Sequence, residues 1–133
     1  MLHFESLVQQ LSMQNGWPMA MRPDGGYRME LPTEYGRTQV VEITGGHDPD
    51  GRPLAYIWSV ITDTSRMQDP YQLLRINADL PYGAVALSDP HVILIETQLM
   101  ESADPDEVAR AIFYVGKYAD ELEKQVHGHF DQS

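Results

Sequence analysis

Within residues 69–100, DPYQLLRINADLPYGAVALSDPHVILIETQLM, a helical period gives way to a strand period across a Leu-Pro-Tyr-Gly break. Leu73, Ile76, Asn77 and Leu80 fall at helical spacing on one face, with Leu74 and Ala78 beside them on a second. Pro81 cannot donate the next backbone hydrogen bond and Gly83 frees the chain to turn, so the helix stops there. Val85 and Leu87 then alternate with Ala84 and Ala86, and Ser88-Asp89-Pro90 turns the chain into HVILIETQL. The stretch predicts a helix of about three turns followed by two strands folded back on each other.

The flanks must fit around that unit. Phe4, Leu7, Val8 and Leu11 have the spacing of an amphipathic helix over residues 2–14, with Asn15-Gly16 as its stop. Trp17, Met19 and Met21 alternate as a strand would, and Pro18 makes that strand an edge or an entry. A turn at 23–26 leads to Tyr27, Met29 and Leu31, alternating against Arg28 and Glu30. Strands are predicted over 37–45 and 54–63, separated by the polar turn GHDPDGRP. The second is apolar on both faces, with Leu54, Tyr56, Trp58 and Val60 on one and Ala55, Ile57 and Ile61 on the other. Such a strand is central and needs a cover on each side, one a helix and the other a second subunit. Asp104-Pro105-Asp106-Glu107 opens a final helix whose stripe runs Val108, Ile112, Val115, Ala119, Leu122, Val126, and Gly128 is expected to end it. The elements predict an α+β domain over residues 1–133, an antiparallel sheet with helices in the order α-β-β-β(-β)-α-β-β-α.

Composition narrows the function. Nine basic against 20 acidic residues give a net charge of −11, which suits neither nucleic acid nor an anionic membrane surface and favours solubility. There is no cysteine, hence no disulfide, thiolate nucleophile or thiolate metal site. The first residues lack a signal-peptide pattern and no apolar run is long enough to span a bilayer, so a cytoplasmic location is expected. Ser59, Ser65 and Ser88 lack an elbow motif, and His3, His47 and His91 have no triad-like spacing. No glycine-rich loop opens a helix, and the acids at 104–107 read as helix-start charge. His47-Asp48-Pro49-Asp50-Gly51 has part of a calcium-loop spacing without its bidentate position, and tight turns use the same residues. His127 and His129 need a third ligand to hold a metal. The expectation is no catalysis, cofactor or metal.

LLRINADLPYGAVALSDPHVILIETQL (73–99) and the closing YADELEKQV (118–126), in this order of elements, resemble the class I type III secretion chaperones of the Tir chaperone (CesT) type. The YbjN-like proteins of bacteria share that fold. The resemblance covers nearly the whole chain and is one of pattern. It implies a homodimer without enzymatic activity that binds an extended client segment, partly by strand addition to a sheet edge and partly through apolar patches. The extra N-terminal hairpin and the 46–53 turn suggest four strands before the central helix, which leans toward the YbjN-like branch. There the same fold implies regulatory roles and a folded partner.

Two clusters are candidates for those contacts. Trp17, Met19, Met21, Tyr27 and Met29 form a Met-aromatic group on the N-terminal hairpin, which is either a partner surface at an exposed edge or simple core. Leu74 and Ala78 on the central helix, with Tyr56 and Trp58 on the doubly apolar strand, are candidates for a dimer interface, the alternative being burial within one subunit.

Overall fold

A computed structural model of the chain describes residues 2–67 and 69–131, with side-chain packing described for 4–67 and 69–126. The elements run α1 (Leu2–Asn15), β1 (Met19–Met21), β2 (Tyr27–Pro32), β3 (Thr38–His47), β4 (Pro53–Asp63), α2 (Pro70–Asp79), β5 (Ala84–Ser88), β6 (His91–Leu99) and α3 (Pro105–Asp131). Short 3-10 turns at Glu34–Gly36 and Thr64–Arg66 follow β2 and β4. The strands form a six-stranded antiparallel sheet in the order β1-β2-β3-β4-β6-β5. The chain is thus α+β, with the four strands before α2 that the sequence suggested.

One face of the sheet carries the helices. On it Tyr27, Met29, Leu31, Val41, Ile43, Ala55 and Ile57 pack with Phe4, Val8 and Leu11 of α1 and Val108, Ile112 and Val115 of α3. Toward β5, a second cluster joins Ile61, Val85, Val92 and Leu94 to Leu73 of α2 and to Ala119 and Leu122 of α3. The 4-3-4-3-4 stripe of α3 spans both clusters, which is why a single helix covers the length of the sheet. Asp104 caps it, its Oδ1 accepting from the Asp106 and Glu107 N–H groups at 2.8 and 3.2 Å. Gly116 lets the helix sit close, since a Cβ there would lie 3.0 Å from Leu31 Cδ2 and 3.1 Å from Val41 Cγ2. The β2–β3 connection is tied to the same helix by Arg37 Nη2, which donates to the buried Asp120 Oδ1 at 2.9 Å.

One expectation changes. Gly128 does not end α3, which continues to Asp131, because one glycine costs a helix only about 1 kcal/mol. After His47, the last residue of β3, the polar segment is the tight turn that was expected: Asp48 Oδ1 accepts from the Asp50 and Arg52 N–H groups, so its carboxylate serves the backbone. The side chains of His3, His127 and His129 lie outside the described residues. No helix among the described residues is long and apolar enough to cross a membrane.

Candidate functional site

Because side chains alternate along a strand, every strand that feeds the helix-covered face also feeds the opposite one. No residue of that opposite set belongs to either core cluster. The strand register sets its rows. One row runs Arg28, Glu42, Trp58, Ile95, Ala84, and a second runs Val60, Ile93, Ala86. Tyr56 lies between Thr44 and Thr97 in a third. An antiparallel sheet that faces water reads polar on its wet side. Here the β4–β6–β5 half reads tryptophan, valine, isoleucine and alanine, and Ile93 is only 6% exposed although it belongs to neither core cluster of the described residues.

The β1–β3 half of this face is charged and tightly paired. Glu42 receives Arg28 Nε at 2.7 Å and Arg22 Nη1 at 2.8 Å, and Arg22 Nε also reaches Asp24 Oδ1 at 3.1 Å. Burial alone would push the Glu42 carboxyl up, but the two guanidinium groups outweigh it and hold the carboxyl below the usual glutamate range. The Arg22 guanidinium lies 5.5 Å from the centre of the Trp58 ring, and Trp58 Nε1 donates to Thr44 Oγ1 at 3.1 Å. Trp58 is therefore fixed in place, with Ile95 and Ala84 beside it in its row toward β5. Gly46 makes room for the Tyr56 ring, with which a Cβ there would collide.

The sheet has two edges. At β1, Pro18 O accepts from Glu30 N–H at 2.9 Å and Arg22 N–H donates to Gly26 O at 2.7 Å, with Ala20 opposite Arg28. Residues 18, 20 and 22 thus face β2, and alternation turns the backbone of Met19 and Met21 outward. The Met21 side chain is 70% exposed. At β5 the edge is occupied by Asn77 of α2, which bonds both backbone groups of Val85.

The sequence-derived candidates divide accordingly. Trp17, Tyr27 and Met29 are 7%, 5% and 0% exposed, so as a partner surface they are corrected to core. The physical reason is that β2 turns Tyr27 and Met29 under α1 and α3, and Trp17, held to the end of α1 by Ser12, packs into the same cluster. Met19 is half-buried against the same core, and Met21 alone of the five is open. Leu74, 64% exposed, and Ala78 lie on the exterior of α2, whereas Tyr56 and Trp58 are half-buried on the open sheet face. The four sit on opposite layers and do not form one patch. Val60, Ile93 and Ile95 complete the open face. Their signal in the sequence was the two-faced pattern of β4, matched by the unbroken Val-Ile-Leu-Ile run of β6.

No protein-family model matches the chain, and no curated protein matches it. Among solved structures it is similar to the Yersinia pestis type III secretion chaperone SycH, in a crystal structure of its complex with a stable fragment of YscM2. The TM-score is 0.55 at 14% identity, covering 90% of this chain and 96% of that one. The likeness is one of fold: a type III secretion chaperone-like arrangement of sheet and helices.

Proposed function

We propose that this chain is a non-enzymatic protein-binding module, a homodimer that holds an extended segment of a client polypeptide in the manner of a chaperone. The observation that carries the reading is the outer edge of β1, where the backbone of Met19 and Met21 points away from β2, no strand among the described residues pairs with it, and the flexible Met21 side chain stands beside it. The SycH complex supports the reading from outside, as a likeness of fold to a chaperone bound to a protein fragment. The second subunit covers the open face of β4–β6–β5, taking up Tyr56 and Trp58. Among the described residues no helix packs on them, and those apolar rows need a cover. The single-domain organisation and cytoplasmic setting expected from the sequence belong to the same proposal.

The test is affinity capture of the tagged chain from its native cell extract, run beside Met21→Pro. Proline deletes an outward-facing N–H and is tolerated on an edge strand. A partner held by the parent chain and lost from the Met21→Pro variant supports strand addition at β1. Equal capture by both removes the edge from the site. A second reading, a regulatory module of the YbjN-like kind with a folded partner, is favoured by the four strands that precede α2. It expects the captured partner to resist protease when free, whereas a client segment is cut.

A further inference from the structure

The sequence holds seven methionines and no cysteine, so thioethers are its only sulfur groups and no thiol takes an oxidant first. Packing divides the described methionines sharply. Met29 is fully buried, Met19 and Met100 pack against the first core cluster, and Met67 packs against the second. Met13 near the end of α1 and Met21 at the end of β1 are 84% and 70% exposed. Of these two, only Met21 ends a row of the core. The register sets it opposite Tyr27, and beyond Tyr27 come Ile43 and Ile57, all three buried on the helix-covered face. A strand added at the outer edge of β1 lengthens that row by one residue, whose side chain lies over the Met21 thioether.

We propose that Met21 is an oxidation site at which a peroxide switches off strand addition to β1; the inference rests on the edge-binding reading above. A lone pair of Met21 Sδ attacks one peroxide oxygen, the S–O bond forms and the O–O bond breaks. The proton of the transferred oxygen passes to the departing hydroxide to give water, so the thioether is oxidised to the sulfoxide and the peroxide is reduced. The product sets a strong hydrogen-bond acceptor at the end of an apolar row. A partner strand that covers it must strip the water from that oxygen, which weakens binding on the order of tenfold. Met13 is the control within the same chain. It is as open to peroxide, but it belongs to neither core cluster and stands on a helix rather than on the edge strand, so its sulfoxide stays in water. Sulfoxide reductases reverse the step, which makes it a switch rather than a lesion.

The experiment treats the parent chain, Met13→Leu and Met21→Leu with hydrogen peroxide, removes it, and then runs affinity capture from native cell extract. Mass spectrometry of the methionine peptides reads which thioethers have gained oxygen. Met13 and Met21 are expected to oxidise while Met29 does not, which also shows that the core has stayed closed. Capture by the treated parent and by treated Met13→Leu should fall on the order of tenfold, and treated Met21→Leu should keep its partner. Reductases acting on both sulfoxide epimers should restore the parent. A parent that holds its partner with Met21 oxidised overturns the proposal, as does a Met21→Leu chain that loses it equally. Should untreated Met21→Leu capture nothing, Met21→Ile takes its place. An untreated parent that captures nothing sinks the edge-binding reading and this inference with it. A partner lost with Met21→Pro but indifferent to Met21 oxidation overturns this inference alone.

Discussion

Glu42 and Glu96 lie on opposite faces of the sheet and respond to pH in opposite senses. Glu42 is held low by Arg28 and Arg22, so its contribution to stability is present above the usual glutamate range and is lost as pH falls through its folded value. Burial pushes Glu96 up against weaker hydrogen bonds from Gln98 and the Gly83 N–H, and its buried Oε2 has no hydrogen-bond partner among the described residues. The folded chain therefore binds that proton more tightly than the unfolded one. Its contribution is fully present below the usual glutamate range and is lost as pH rises through the raised value. Urea titrations should find Glu96→Gln more stable than the parent at pH ~7, by a margin that closes near pH ~4 as Glu96 takes up its proton. Glu42→Gln should be less stable at pH ~7, with that deficit shrinking in acid. Pairs such as Arg37 with Asp120, 83 positions apart, could not be read from the sequence, because nothing local brings them together. Asn77 left a signal, a carboxamide among the apolar positions of α2, whose meaning appeared only when β5 was seen beside it.

At the scale of elements, α3 decides how tightly the helix layer sits on the sheet. Gly116 is buried at its contact with Leu31 and Val41, where even a methyl group requires both neighbours to give by a few tenths of an ångström. Gly116→Val should therefore cost about 1–3 kcal/mol by overpacking, read as a lowered urea midpoint. The stripe of α3 and the α2–β5–β6 unit were legible because each carries its own period over many residues. The order of strands was less so: β4 pairs with β6, which comes after α2 and β5 in the chain, and no local pattern specifies that neighbour. The N-terminal hairpin shows the same limit. Alternation in Trp17, Tyr27 and Met29 established which side chains share a face, but the helices above that face decided that it was interior.

For the whole molecule, the consequence of placing the helices on one side is a sheet whose other side is apolar where it should be polar. The doubly apolar strand predicts two covers, and among the described residues the helices supply one of them. Which surface takes the second was not legible, since Leu74 and Ala78 share a helix face while Tyr56 and Trp58 share a sheet face, and only the packing shows that these faces look in opposite directions. The most direct measurement is the molar mass in solution of the parent chain, Val60→Lys and Leu74→Glu by light scattering over a micromolar range. The account expects about twice 15.1 kDa for the parent and for Leu74→Glu, and the mass of one chain for Val60→Lys, which sets a charge among the open-face rows. A parent chain at 15.1 kDa throughout, or a dimer that survives Val60→Lys and dissociates with Leu74→Glu, would contradict it.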